Sequence, residues 1–354
     1  MPREDLNSRE RWALLTYDDL PDRVPITPFI TVHAAKVLGI DARTYCTNGQ
    51  ALGRSQLAAY ERYGTDGIFV YSDMVAFAEA MGSTVSFTSE GIPHLDVPCI
   101  VRRGNIGRAK KIDKGNLGRI AGWLEAVGLC YDAVGGEVPI NFIVMAPFTL
   151  AALLRGTEAF LFDLMEDPGF ARELMEFAKE SMLELIDLAV LEGAVPSVAD
   201  PLASTSVISP AMYREFAFPY EKELVEYIRN IGFDAKLHIC GETEPILKDV
   251  VGTGADLFSF DRVPVNTVVE KVGRSMRLIG NIDPVQLMFS SPEEIERDVR
   301  ECIEAGRKSS RGFILATGCE VALDTPQKNI EALMKAGAKY GQLWDPADNT
   351  LDPL

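Results

Sequence analysis

Short β-rich runs alternate with longer helical patterns from about residue 24 to residue 342. Eight runs read as strands, over 24–30, 67–73, 140–146, 195–200, 235–240, 256–261, 276–283 and 312–319. Between them apolar residues recur every three or four positions, which gives a helix one face to bury. One helix starts at Ser291-Pro-Glu-Glu294, where Ser caps, Pro takes the first helical position and Glu294 completes a capping box. Its apolar stripe is Ile295, Val299, Cys302 and Ile303. Others start at Thr325-Pro326 and at Ser209-Pro210, and Pro219 kinks or ends the latter because it has no N–H to donate.

Eight strands alternating with helices predict an α/β fold with a parallel sheet, and eight is the count that closes a (β/α)8 TIM barrel. The alternative, an open doubly wound sheet, usually carries a Gly-rich turn after its first strand, and VPITPFITVHAAK has none. No linker, composition shift or fixed-period repeat divides the chain, so residues 1–354 read as a single domain. Residues 1–22 form an N-terminal helical extension, and 82–115 an inserted region with a hairpin around STVSF and VPCIVRR.

Charge then narrows the function. With 35 basic against 52 acidic residues, the net −17 repels nucleic acid, whose nonspecific binding rests on Lys and Arg. Charged residues interrupt every apolar stretch well short of the roughly 20 residues a membrane span needs. The N-terminus lacks the apolar core of a secretory signal, so the expected location is the cytoplasm, with the six cysteines as thiols, ligands or core.

The predicted strands end on Asp73, Asp200, Cys240, Asp261, Asp283 and Cys319. In a barrel these ends converge on the face that carries the active site. Turn chemistry explains Asp261 and Asp283 equally well, but it does not explain the cysteines. In Leu237-His238-Ile239-Cys240-Gly241, His238 and Cys240 are two apart on a strand and share a side. Cys319 follows Gly318, which lets the backbone come close to whatever the thiol meets. One imidazole and two thiolates suit zinc and leave a fourth position open, as catalytic sites do. The competing reading is a satisfied histidine and two buried thiols; the strand-end placement favours metal. Cys130 and Cys302 lie on helix stripes and read as core, Cys46 and Cys99 as loop residues, and His33 as helix surface or barrel mouth.

The runs HICGETEPIL, SFD, LIGNIDP and ATGCEVALDTPQKNIEAL resemble the methylcobamide-dependent branch of the uroporphyrinogen decarboxylase superfamily. The resemblance runs from DRVPITPF at residue 22 to the final helix. It implies a corrinoid-dependent methyltransferase with Zn2+ on His238, Cys240 and Cys319. It also implies a small methyl donor or acceptor such as a thiol or methyl ether. Asp200, in Asp-Pro-Leu-Ala-Ser, is expected to face the metal, and Asp73 is the second candidate catalytic residue, with Glu79 on a shared position. Asp73 is closer to the decarboxylases, so the alternative is a metal-free enzyme acting on a tetrapyrrole. Against it, residues 23–39 offer only Arg23 and Lys36 to a polycarboxylate, and Cys319 replaces the decarboxylase histidine. No histidine lies in the Asp-x-His-x-x-Gly pattern of corrinoid domains, so the methylcobamide is expected on a separate corrinoid protein.

Overall fold

The structure is a computed structural model that describes residues 6–343 except residue 18. Its strands are β1 (Ile68–Val70), β2 (Thr84–Phe87), β3 (Pro93–Val97), β4 (Ile140–Met145), β5 (Val195–Ala199), β6 (Lys236–Ile239), β7 (Leu257–Phe260), β8 (Arg277–Ile282) and β9 (Phe313–Thr317). Seven of them form one parallel sheet in the order β1-β4-β5-β6-β7-β8-β9.

The expected first strand, 24–30, is the eighth stave, reduced to a single parallel bridge between Ile26 and Leu315. Thr27 N donates to Leu315 O (2.8 Å) and Leu315 N to Pro25 O (2.9 Å), while Asp66 N, just before β1, donates to Ile26 O (2.8 Å). The segment thus joins β9 to β1 and closes the barrel. Pro25 and Pro28 have no N–H, which keeps it from a full ladder.

Helices cover the outside, and the buried Leu237 and Ile239 alternate with inward-facing residues of β6. The capping box forms as read: Ser291 Oγ accepts from Glu294 N (3.3 Å) and Glu294 Oε2 from Ser291 N (2.8 Å). Pro219 takes effect upstream, as a π-helical turn over Tyr213–Ala217 before the helix Phe218–Asn230. The hairpin pairs β2 with β3, so its second arm lies upstream of the expected VPCIVRR; Pro98 stops the ladder there.

Within the N-terminal extension, of which residues 1–5 lie outside the described residues, the helix Ser8–Thr16 caps the N-terminal end of the barrel. Trp12 Nε1 donates to Asp66 O (2.6 Å) and Arg277 Nε to Leu15 O (2.8 Å). Among the described residues, no helix is long and apolar enough to cross a membrane.

Candidate metal centre

His238, Cys240 and Cys319 meet where β6 and β9 end. Each offers one ligand atom, and the three atoms lie within 4.8 Å of one another. His238 Nε2 is 3.1 Å from Cys240 Sγ, which is 3.4 Å from Cys319 Sγ. Zinc, with sulfur at about 2.3 Å and nitrogen at about 2.0–2.1 Å, sets tetrahedral edges of about 3.5–3.8 Å. Side-chain shifts of a few tenths of an ångström therefore fit these donors to a zinc ion.

Neighbouring groups set the donors' orientation and charge. Ser259 of β7, which pairs with His238 in register, lies 3.0 Å from His238 Nδ1 and so turns Nε2 toward the thiols. The Cys240 S–H supports a thiolate on Cys319, holding that thiol down at about 4, while the same contact and burial push Cys240 up. The pair thus takes its first negative charge readily and its second only against a cation. Gly318 is required: a Cβ there would sit 2.8 Å from Asp261 Oδ1 and 3.1 Å from its Cα. Asp261 in turn accepts from Gly241 N (2.8 Å), fixing the turn after Cys240.

Below the centre the barrel encloses a cavity of about 60 Å3, lined by His238, Cys319, Ser259 and Phe29, with Lys236 and Trp12 deeper in. Lys236 is on the same face of β6 as His238, and burial lowers its ammonium to about 8.

The two carboxylates read as catalytic are placed differently. Asp73 is gripped by Arg119, whose Nη1 and Nη2 donate to its two oxygens at 2.6 and 3.0 Å, and it accepts from Ser72 Oγ at 2.6 Å. Arg119 Nε also donates to Glu79 Oε2 (2.5 Å), so Asp73 and Glu79 share one guanidinium. Asp200 touches the centre only through its backbone N–H, which donates to His238 O (2.9 Å). Its Oδ1 accepts from Thr149 N (3.0 Å) and Thr149 Oγ1 (2.5 Å), and its carboxyl is not part of the three-donor cluster. Burial raises Asp200 to about 7 and, together with Asp200, raises Glu221 well above the carboxylate range.

The remaining candidates are structural. Asp283 caps the helix Pro284–Phe289, as turn chemistry allows. His33 is buried rather than on a helix surface, 3.0 Å from Tyr63 Oη, and burial lowers it to about 4. Cys46 lies buried in the helix Ala42–Thr47 rather than in a loop, and Cys130 and Cys302 are core.

Residues 7–340 match the family described as Uroporphyrinogen decarboxylase (URO-D). The chain belongs to this family. It is similar to the methylated-thiol–coenzyme M methyltransferase of Methanosarcina mazei, 30% identical over 281 residues, covering 79% of this chain and 74% of that protein. It is 26% identical over 332 residues to methylcobamide:CoM methyltransferase MtbA of the same organism, covering 90% of this chain and 94% of that protein. Among solved structures, a methyltransferase from Methanosarcina mazei superposes with a TM-score of 0.84 at 24% identity, covering 95% of this chain and 99% of that one, which shows the URO-D barrel fold.

Sequence reasoning missed Ser259, Arg119 and Lys236. The alternation Lys236, His238, Cys240 carried a signal for Lys236, and a lone polar residue in LFSF one for Ser259. Nothing local marks Arg119, which reaches Asp73 from 46 residues away.

Proposed function

We propose that this URO-D-family protein is a zinc-dependent methyltransferase that passes a methyl group between a corrinoid on a separate protein and a small thiol. The observation that carries the reading is the cluster of one imidazole and two thiols within 4.8 Å of one another at the ends of barrel strands. The similarity to methyltransferases named for methylcobamide and coenzyme M supports the same chemistry. Zinc, when bound, holds a substrate thiol as a thiolate at neutral pH.

The chain's own residues do the rest. Ser259 keeps His238 Nε2 aimed at the thiols, and two protein thiolates limit the Lewis acidity of the site, so the substrate sulfur stays nucleophilic. Phe29, 6.5 Å from the His238 ring between centroids, and the apolar cavity wall keep water from the sulfur. A corrinoid docked at the mouth would supply the activated methyl group, and the chain's residues would present the sulfur that accepts it, the thiol proton going to solvent. Asp73 acts through Arg119 on the shape of the mouth, and Asp200 supports the β5–β6 seam behind His238. A metal-free decarboxylase would need Asp73 free to meet a tetrapyrrole, and here Arg119 and Ser72 occupy it.

Elemental analysis of the purified protein tests the metal, with about one zinc per chain expected. Methylcobalamin and a thiol, followed by cobalt absorbance, test the transfer. Zinc below about a tenth of an equivalent, with no gain when zinc is added, overturns the reading.

A further inference from the structure

The chain carries 52 acidic against 35 basic residues, yet six of the basic ones fall from Arg102 to Lys114, with Asp113 the single acid among them. Arg103 is held by Asp163 (2.6 Å) and Glu166 (2.5 Å), and Lys111 by Glu180. Arg102, Arg108, Lys110 and Lys114 are exposed, and among the described residues none of the four forms an ion pair. The segment lies between the hairpin β2–β3 and the helix Ile120–Val134, within the long connection that leaves the end of β1. Chain between a strand's end and the helix that runs back along the barrel belongs to the face where the strands end, the face of the three donors. Hydrogen bonds seat the segment on the helix Thr157–Glu166, which follows β4 on that same face. Arg155 Nη1 donates to Val101 O (2.7 Å), while its Nε donates to Asp163 Oδ2 (2.7 Å), the carboxylate that also holds Arg103. Phe162 and Met165, three apart and so on one side of that helix, are 50% and 67% exposed, and Val101 is 55% exposed. Single exposed apolar residues are ordinary. Three held together beside four unpaired cations have the anatomy of a protein interface, an apolar centre within a charged rim.

We infer that this basic island docks an acidic face of the protein that carries the corrinoid. The inference rests on the methyltransferase reading for the partner's identity, and on charge and exposure alone for the place. With a net −17, most of the surface repels an acidic protein at long range. A local excess of cations then decides where such a partner lands and how fast it arrives. A second copy of the chain would bring the island against itself across a two-fold axis, cation to cation. A nucleic acid or an anionic bilayer spreads its negative charge well beyond four side chains and would meet the acidic remainder of the surface. A compact acidic face meets the island alone. The contact is expected to be modest, about 1,200 Å2 or less, because the carrier must leave between turnovers.

Kinetics with two methyl carriers test this. One carrier is free methylcobalamin; the other is the corrinoid protein purified from the same cells by its cobalt absorbance. With the corrinoid protein, raising salt from about 0.05 to about 0.5 M should lower kcat/KM roughly tenfold or more. The triple substitution Arg102→Glu, Arg108→Glu, Lys110→Glu should lower it as far at low salt and abolish the salt dependence. Free methylcobalamin should be used alike by the natural chain and the variant. The double substitution Phe162→Ser, Met165→Ser should raise KM for the corrinoid protein and keep the salt dependence, because it removes the apolar centre and not the charge. Sedimentation at low salt reads binding without turnover: a complex is expected with the natural chain and none with the triple variant, whose fold thermal melting checks. Equal kcat/KM or equal complex formation in natural chain and triple variant overturns the inference. So does an equal loss with free methylcobalamin, or tighter binding to duplex DNA or phosphatidylserine vesicles than to the corrinoid protein. If neither carrier is turned over, the methyltransferase reading falls, and sedimentation alone decides the docking surface.

Discussion

The two sides of the barrel mouth hold their polar groups in different ways. On the wall of β6, β7 and β9, the donors His238, Cys240 and Cys319 contact one another, and among the described residues none of them forms an ion pair. On the wall of β1, the acids Asp73 and Glu79 share the one guanidinium of Arg119. Soft sulfur and nitrogen donors gathered without a guanidinium suit a metal ion, whereas carboxylates gripped by a guanidinium have those oxygens occupied. The same barrel thus separates a wall of clustered donors from a wall of acids held by one arginine, and the test is whether each wall can be damaged without the other.

The largest effect is expected from Cys319→Ser. Losing one of three donors should remove most of the zinc and lower methyl transfer by at least about a hundredfold, while the fold survives because the residue sits past the end of β9. Metal analysis beside a thermal melt separates the two outcomes, and full zinc with full activity would remove Cys319 from the centre. The opposite wall should fail in the opposite way. Arg119→Met leaves Asp73 and Glu79 with no cation, a loss of about 3–5 kcal/mol for a largely buried pair, and keeps the zinc. Urea unfolding measures the first and elemental analysis the second; loss of zinc with unchanged stability would show that the walls are not independent.

The difference between the walls also decides what the sequence could reveal. The donor wall is written locally: His238 and Cys240 alternate on one short strand, and Cys319 follows a glycine at a strand end, so the pattern brings the three together. Seven strands and the Ser291 capping box are local in the same sense, which is why they appear where the periodicity places them. The 24–30 segment resisted, since its prolines reduce a barrel stave to one bridge, a matter of hydrogen bonds that apolar alternation does not report. The partners of Asp73 and Asp200 were hidden for another reason. These partners, Arg119 and Thr149, are 46 and 51 residues away, and only the folded chain says whether a strand-end carboxylate faces a metal or an arginine.

At the seam between the walls His33 provides a pH-dependent test. It bridges Tyr63 and the loop after β9, and burial lowers it to about 4 from an ordinary value near 6.5. The folded state therefore keeps His33 neutral while the unfolded state binds a proton below about pH 6.5. Stability from this residue is complete above about pH 6.5 and declines as pH falls toward 4, by roughly 3 kcal/mol in all. Urea unfolding of the natural chain and of His33→Gln at pH 7 and pH 4.5 checks it. The gap between the two proteins should narrow at the lower pH, and a constant gap would count against a buried neutral imidazole.

The smallest effect expected is at Ser259, and it bears most directly on how the donor wall is organised. Its hydroxyl lies 3.0 Å from His238 Nδ1, on the strand paired in register with β6, and it contacts neither thiol in the hydrogen-bond network. If its role is to orient the ring, Ser259→Ala leaves three donors in place and frees the imidazole to rotate. Outer partners of metal-bound histidines typically contribute 10–100-fold in metal affinity. Zinc should therefore still bind at about one per chain when in excess, yet be lost to a competing chelator about 10–100-fold more readily. Ser259→Thr retains a hydroxyl on the same backbone position and should recover most of that affinity. A chelator titration of the three proteins at one pH reads the effect without reference to turnover. Equal affinities would mean that Cys240 and Cys319 hold the ion without help from an oriented ring, and that the donor wall is made by its sulfurs alone.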